Sequence, residues 1–102
     1  MKKTMIKREL LKKSNQVKLT FVQPYDGTQA KISVVGDFNN WDPKANPLIK
    51  RTNGTASSSI TLDPNQRLRF RYFCADGKWF NDEAADAYEP GEHGEDNSIV
   101  IV

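Results

Sequence analysis

The stretch Arg67-Leu68-Arg69-Phe70-Arg71-Tyr72 alternates strictly between basic and apolar residues. Successive side chains of a β-strand point to opposite faces of its sheet. The pattern therefore predicts a strand whose apolar face, formed by Leu68, Phe70 and Tyr72, packs on a core. Arg71 would point outward, to solvent. Because a single strand has no independent stability, further strands must complete the sheet.

The same period of two recurs along most of the chain. It appears in short runs at residues 17–21, 31–35 and 58–62, and the chain ends in the β-branched run 98–102, which suits a strand near the centre of a sheet. Pairs of residues that favour tight hairpin turns separate these runs, namely Asp26-Gly27, Asn53-Gly54 and Asp76-Gly77. Short strands punctuated roughly every 8–12 residues predict an all-β sandwich over residues 16–102.

Residues 1–15 have a different pattern and are interpreted as a short basic N-terminal arm. Ile6 and Leu10 would share one face of a short helix, which either packs on the body or frays. Residues 1–18 carry seven basic residues and one acidic residue, whereas residues 81–98 carry seven acidic residues and neither Lys nor Arg. A solvated arm is the simplest interpretation. Docking of the arm on the acidic segment and binding to an anionic membrane are the alternatives.

Length and composition limit the class of protein. The 102 residues fit one domain. Cys74 is the only cysteine, and the N-terminus lacks an apolar run of signal-peptide length, so we expect a cytoplasmic protein without disulfides. No stretch has the roughly 20 apolar residues of a membrane span. We expect no nucleic-acid binding, because residues 19–102 hold twelve acidic and eight basic residues.

The residue types that catalysis needs are scarce, so we predict that the chain is not an enzyme. Any catalytic histidine would have to be His93, and for Cys74 a structural thiol is favoured over a pair with His93. Asp82, Glu83 and Asp86 could be matched with paired glycosidase carboxylates, although acids after a hairpin are more often a solvated loop. The sequence has neither an EF-hand order of carboxylates nor a phosphate-binding glycine loop, so we predict no metal and no cofactor.

Three segments carry a more specific signal. They are Val35-Gly36-Asp37-Phe38-Asn39-Asn40-Trp41-Asp42, Phe70-Arg71-Tyr72-Phe73-Cys74-Ala75-Asp76-Gly77-Lys78-Trp79-Phe80-Asn81-Asp82 and Gly94-Glu95-Asp96-Asn97-Ser98-Ile99-Val100. In this order and spacing they resemble the glycogen-binding module of the AMP-activated protein kinase β subunit. They are equally similar to the N-terminal modules of isoamylases and glycogen-branching enzymes, in carbohydrate-binding module family 48. The resemblance covers about residues 17–102 and implies an immunoglobulin-like sandwich of the early-set type that binds α-1,4-glucan without catalysis.

The resemblance also implies which side chains contact glycogen or maltodextrin. The family's two tryptophans fall on Trp41 and Trp79, and its asparagine near the last strand falls on Asn97. Its basic residue falls on Tyr72 if no gap is allowed before Trp79, or on Arg71 if Ala75 is an extra residue before the turn. We prefer Arg71, because the alternation turns it outward. With two further asparagines from the quoted segments, the predicted carbohydrate-binding residues are Trp41, Arg71, Trp79, Asn97, Asn39 and Asn81.

The chemistry of these side chains suits a sugar. An indole ring offers an apolar plate for the C–H face of a glucose ring. The Arg71 guanidinium offers a planar fork of donors for hydroxyl groups, and the Asn97 amide offers both a donor and acceptors. Each residue also has a structural alternative. Trp41 would be a core residue, Trp79 would cover the hairpin, Arg71 would pair with the acidic segment, and Asn97 would hold a loop.

A second function stays open at this stage. Asp96 and Ser98 stand where the kinase module has a threonine and an asparagine, so the chain departs from the family's set of sugar ligands. The alternative is a protein-interaction module of early-set fold that has lost sugar binding. Such a module would associate with a glycogen-metabolising enzyme or a kinase.

Overall fold

The structure is a computed structural model that describes residues 5–91 and 95–102. In these residues the chain forms nine strands, and a short 3-10 helix (Asp37–Asn39) follows the third. No helix of the described residues is long and apolar enough to span a membrane. The strands are β1 (Met5–Leu11), β2 (Gln16–Pro24), β3 (Ile32–Gly36), β4 (Ile49–Lys50), β5 (Thr55–Leu62), β6 (Arg67–Cys74), β7 (Trp79–Phe80), β8 (Ala87–Pro90) and β9 (Asp96–Ile101).

Two antiparallel sheets contain these strands. The first has the order β1-β2-β5-β4, and the second has the order β3-β6-β9-β8, with β7 paired to β6. A constant-type immunoglobulin domain has the strand order ABED in one sheet and CFG in the other. Strands β1, β2, β5 and β4 take the places of A, B, E and D, while β3, β6 and β9 take those of C, F and G. The predicted immunoglobulin-like sandwich is confirmed.

The core lies between the two sheets and is centred on three aromatic rings. The ring of Phe21 on β2 lies 5.0 Å from that of Phe70 on β6, and the ring of Tyr72 lies 5.8 Å from that of Phe70. All three side chains are buried, as is Leu68. The inward face predicted for β6 is therefore confirmed. Because the rings fix β6 on β2, they also fix the opposite face of β6, which points away from the core.

Residues 5–11 of the N-terminal arm form a strand, so the helix considered for the arm is wrong there. All seven residues of β1 pair with β2, from Met5 opposite Val22 to Leu11 opposite Gln16. A short lone helix is marginal in water, whereas the edge of β2 offers the arm a full row of backbone partners. Ile6 packs on the core, but Leu10 is 59% exposed. The division into an arm of residues 1–15 and a domain of residues 16–102 stays a prediction.

Arg8 connects β1 to the second sheet. Its Nε donates to the backbone oxygen of Ile101 at 3.0 Å, and its Nη2 forms an ion pair with the Asp86 carboxylate. The same carboxylate accepts the backbone N–H of Ile101. One ion pair thus joins the basic arm to the acidic segment, as the docking alternative supposed.

The Asp-Gly and Asn-Gly pairs occupy turns of a different kind from the two-residue hairpins that we predicted. Gly54 and Gly77 have positive φ, but they end three-residue loops between paired strand ends. Such loops place a single glycine in the left-handed region after a type I turn. Gly27 also has positive φ, but it lies in the connection between β2 and β3, which belong to different sheets.

Candidate functional site

The side of the second sheet that faces away from the core carries three of the predicted binding residues, Arg71, Trp79 and Asn97, and we call it the outer face. On β6 the outer face is formed by residues that alternate with the buried Phe70 and Tyr72. Val35 of β3 pairs with Arg71 on one side of β6, and β9 and β7 pair with the other side. The β6 residues of the outer face are Arg67, Arg69, Arg71 and Phe73.

Arg71 is central on this face and is held by three contacts. Its Nε donates to Asn97 Oδ1 at 2.7 Å, its Nη1 lies 3.2 Å from Glu95 Oε2, and its Nη2 donates to the backbone oxygen of Glu95 at 3.1 Å. The side chain is 15% exposed. The outward orientation predicted for Arg71 is confirmed, whereas Tyr72, the other candidate for the basic position, lies in the core.

Gly91 packs closely against the Arg71 side chain. A Cβ at this position would lie 2.6 Å from Arg71 Nη2 and 2.5 Å from the Glu95 oxygen, so a larger residue would displace one of them. The Gly91 N–H also donates to that oxygen at 2.7 Å. The structural alternative considered for Arg71 is thus partly realised, whereas among residues 5–91 and 95–102 no contact gives the Asn97 side chain the loop-holding role considered for it. Arg71 pairs with an acidic residue, and Asn97 bonds to Arg71.

Trp79 lies on β7, the second strand of the hairpin that β6 and β7 form. Ala75-Asp76-Gly77 form its three-residue loop, and the alignment that makes Ala75 an extra residue stays a prediction. Trp79 pairs directly with Phe73, and their ring centroids are 4.7 Å apart at an angle of 54°. The Trp79 side chain is 43% exposed. The indole therefore rests on an aromatic support and still presents a large surface to solvent.

Trp41 lies in the loop that follows β3 and is half-buried. Its backbone N–H donates to the Gly36 oxygen at 3.0 Å, and both Asn40 and Trp41 have a φ of 57°. Asparagine adopts the left-handed region readily, whereas for a residue such as tryptophan it costs roughly 1–2 kcal/mol. Trp41 therefore needs compensating contacts. One such contact joins Trp41 Nε1 to Asp37 Oδ1, at 3.3 Å.

Asn39 uses its amide within this loop. Its Oδ1 accepts the Gly36 N–H at 3.0 Å, and its Nδ2 donates to the Val34 oxygen and to Asn46 Oδ1. An amide has two N–H donors, and both are engaged here. The geometry gives Asn39 a role in shaping the loop that carries Trp41. Its predicted contact with sugar stays a prediction.

Asn81 and Ser98 connect the Trp79 hairpin to β9. Asn81 Nδ2 donates to the Asp96 oxygen at 2.7 Å, and the Ser98 hydroxyl donates to Asn81 Oδ1 at 2.9 Å. The Ser98 side chain is fully buried. Ser98 therefore links β9 to the segment that follows β7. The sugar contact predicted for Asn81 stays untested, and His93 lies outside the described residues.

A buried carboxylate beneath the hairpin was missed by sequence reasoning, which treated residues 82–86 as a solvated loop. Asp82 is 1% exposed, and its Oδ2 accepts the Tyr72 hydroxyl at 2.5 Å. Its backbone N–H donates to Ser98 Oγ, and its backbone oxygen accepts the Tyr88 hydroxyl. Burial raises the pKa of the Asp82 carboxyl, and the hydrogen bond from Tyr72 opposes that shift. Asp82 thus ties the hairpin to the core.

Two residues considered for catalysis have structural contacts. Asp86 pairs with Arg8, and Cys74 is half-buried at the end of β6 beside the core. Burial raises the pKa of the Cys74 thiol, which lowers the fraction of reactive thiolate. In residues 5–91 and 95–102, no group of three or more His, Cys, Asp or Glu side chains could hold a metal ion.

The two tryptophans are linked to opposite ends of one row of β6 residues on the outer face. Trp79 lies against Phe73, whereas Trp41 is joined through Asp37 to Arg69. Residues four apart on a strand are separated by about 13 Å, so this is roughly the separation of the two supports. Arg71 lies between them, next to Asn97. The face thus combines two indoles with a central polar cluster over a length greater than one sugar ring.

Comparison with known proteins finds two similar to this chain at the level of sequence, while no family model matches it. Over 54 residues the chain is 30% identical to the 1,4-alpha-glucan branching enzyme GlgB of Aquifex aeolicus (strain VF5), a match that covers 52% of this chain and 9% of that enzyme. Over 71 residues it is 34% identical to the amylopullulanase of Thermoanaerobacterium thermosulfurigenes, covering 68% of this chain and 3% of that protein. The chain therefore spans only a small part of both relatives.

Proposed function

We propose that the outer face of the second sheet binds α-1,4-glucan, such as glycogen or maltodextrin, and that the domain catalyses no reaction. Trp41 and Trp79 stack on glucose rings, while Arg71 and Asn97 contact hydroxyl groups between them. The observation that carries this proposal is the exposure of Trp79 on a rigid aromatic support.

The aromatic part of the proposal rests on preorganisation. A side chain that is already ordered loses little entropy when it binds, so the Phe73 support and the Asp37 contact favour stacking on the indoles. Burial of the sugar on two plates, with about 1–2 kcal/mol from each plate beyond general burial, adds to the polar contacts. After the cost of association is subtracted, we expect a Kd of roughly 10 μM to 1 mM for one site. On a polymer with many chain ends, weak sites of this kind still retain the protein through avidity.

The polar part of the proposal uses groups that are already oriented. A guanidinium has five N–H donors, and Arg71 uses three of them in contacts with Asn97 and Glu95. The remaining two have no partner among residues 5–91 and 95–102, so they are the donors that we assign to sugar hydroxyls. Asn39, Asn81 and Ser98 support the loop and the hairpin in this proposal.

The similarity to two glucan-active enzymes supports the same class of ligand. The branching enzyme is named for 1,4-alpha-glucan, and the second relative is an amylopullulanase. The matched stretches make up 9% and 3% of these proteins, so their activities are not transferred to this chain. Only the class of ligand is carried over, because a glucan can be bound by a surface that a domain of this length provides.

A titration with maltoheptaose tests the proposal. Both indole N–H signals are followed by NMR in isotope-labelled protein while the sugar is raised to millimolar concentration. We expect both signals to shift with one common Kd. If neither signal moves, the proposed site does not bind glucan. Cellohexaose is the control, because its six glucose units are joined by β-linkages, and it should bind more weakly.

A protein-interaction module is the second candidate function. The observation that favours it is that the Arg71 guanidinium and the Asn97 amide are already engaged with each other. A pull-down with lysate depleted of glycogen by amylase tests it. Recovery of a glycogen-metabolising enzyme from that lysate would favour the interaction module, whereas recovery only before amylase treatment would favour glucan binding.

A further inference from the structure

A single carboxylate on the outer face joins the Trp41 loop to β6. Asp37 Oδ1 accepts the Trp41 indole N–H at 3.3 Å. Asp37 Oδ2 accepts two N–H groups of Arg69, the backbone one at 2.9 Å and Nε at 3.3 Å. Both oxygens therefore have partners, and these partners come from a loop and from a strand 32 residues away in sequence.

The backbone around Asp37 leaves the loop little freedom. A Cβ at Gly36 would lie 2.4 Å from the Arg69 oxygen and 2.8 Å from Phe70 Cβ, so the chain runs directly against β6 at this point. Beyond the 3-10 helix, the left-handed residues Asn40 and Trp41 turn the chain back. The Trp41 N–H then closes the turn on the Gly36 oxygen. The direction of the indole is thus set by the loop backbone and by Asp37.

We propose that Asp37 is a positioning residue that holds the plane of the Trp41 indole ready for a sugar ring. This role rests on the proposed glucan binding. Without the carboxylate the indole would rotate about its side-chain bonds, and the sugar would have to order it on binding. Asp37 affects affinity through Trp41, because its two oxygens accept hydrogen bonds from N–H groups of the protein and not from the sugar.

The role needs two acceptor oxygens at fixed positions. An asparagine has one acceptor oxygen and one donor amide, so Asp37→Asn can satisfy either Trp41 or the Arg69 backbone, but not both. Asp42→Asn is the matched control. Asp42 lies in the same loop and carries the same charge, and its Oδ1 accepts only the Lys44 N–H at 2.9 Å among the described residues. An asparagine there keeps that acceptor.

The test is a double-mutant cycle with maltoheptaose as the probe. Asp37→Asn should weaken binding by about 3- to 10-fold, which corresponds to the cost of ordering one large side chain. In a Trp41→Ala background the same substitution should change the affinity by a factor of about 1, because the residue through which it acts is gone. Asp42→Asn should leave the affinity unchanged in both backgrounds.

Two results would overturn the proposal. One is an equal loss of affinity from Asp37→Asn with and without Trp41, since this would mean that Asp37 acts through the scaffold. The other is an unchanged affinity with Trp41 present. Circular dichroism and the dispersion of the amide NMR signals establish that each variant is folded.

Hydrogen exchange of the indole N–H groups tests the positioning without sugar and without a variant. In the wild-type protein the N–H of Trp41 should exchange more slowly than that of Trp79. Equal exchange rates would contradict the hydrogen bond to Asp37, even if Asp37→Asn did not fold. If the wild-type protein binds no maltoheptaose, the proposed function fails, whereas equal exchange rates would still overturn the hydrogen bond between Trp41 and Asp37.

Discussion

Phe73 and Trp79 form a cross-strand aromatic pair, with ring centroids 4.7 Å apart and an angle of 54° between the rings. Phe73 is half-buried on the outer face, while Trp79 is exposed. The pair explains how a hairpin of only two paired positions holds a large side chain in place. The supporting ring belongs to β6, which is fixed on the core by Phe70 and Tyr72.

Replacing Phe73 with alanine should weaken glucan binding. An aromatic pair contributes about 0.5–1.5 kcal/mol beyond burial, so Phe73→Ala should raise the Kd for maltoheptaose by about 2- to 10-fold as Trp79 loses its support. The Kd is measured by titration calorimetry. Phe73→Tyr is the control, because it keeps a ring beneath the indole and should bind normally. Normal binding by Phe73→Ala would show that Trp79 needs no support.

The hydroxyl of Tyr72 should contribute to stability through Asp82. Tyr72→Phe removes the donor to Asp82 Oδ2 and leaves a buried carboxylate oxygen without this partner. The cost of such a change is about 1–3 kcal/mol. Urea denaturation at neutral pH measures it. An unchanged free energy of unfolding would mean that another group or water takes over the role of the hydroxyl.

The contribution of Asp82 to the free energy of unfolding should be larger in mild acid than at neutral pH. Its pKa is raised in the folded state, mainly by burial, so the folded chain holds this proton more tightly than the unfolded chain does. The contribution of Asp82 to stability is therefore greatest below its unfolded value near 3.8. It declines as the pH rises through the folded value.

Asp82→Asn tests this sign directly. The free energy of unfolding of the wild-type protein, measured relative to Asp82→Asn by urea denaturation, should fall as the pH is raised from about 4 towards 7. The amide does not titrate, so the variant lacks this contribution to the pH dependence. A difference that is constant over this range, or that grows with pH, would contradict a raised pKa for Asp82.

The arm should stay paired with β2 when salt is added. Arg8→Ala should destabilise the protein by about 1–2 kcal/mol, because Arg8 bonds a backbone oxygen as well as Asp86. A partly exposed ion pair alone contributes about 0–1 kcal/mol. Urea denaturation measures the loss of stability in Arg8→Ala. Backbone relaxation of residues 5–11 at low and high salt shows whether the arm stays paired with β2. A coil-like arm at high salt would show that charge, and not strand pairing, holds it.

The alternating pattern of β6 was enough to predict its two faces. Leu68, Phe70 and Tyr72 point inward and Arg71 points outward, because a period of two is a local property of the strand. The N-terminal arm could not be assigned in this way. Residues four apart, such as Ile6 and Leu10, share a face in a helix and also in a strand, so only the pairing with β2 decides between the two.

The supporting residues of the candidate site could not be predicted from sequence, because their partners are distant. The bond from Arg69 to Asp37 spans 32 residues, and that from Arg71 to Asn97 spans 26. No local pattern indicated that Asp82 is buried, since its partner Tyr72 lies on β6, ten residues earlier. Phe73 could have been found, because a three-residue loop places it opposite Trp79.

Co-sedimentation with glycogen tests the role of the two tryptophans most directly. It compares the wild-type protein with Trp41→Ala, Trp79→Ala and Ile49→Ala, the last an exposed apolar residue of the first sheet. We predict that the wild-type protein and Ile49→Ala sediment with glycogen, and that each tryptophan variant, folded by circular dichroism, sediments to a clearly smaller extent. Equal sedimentation of all four proteins would contradict glucan binding by the outer face.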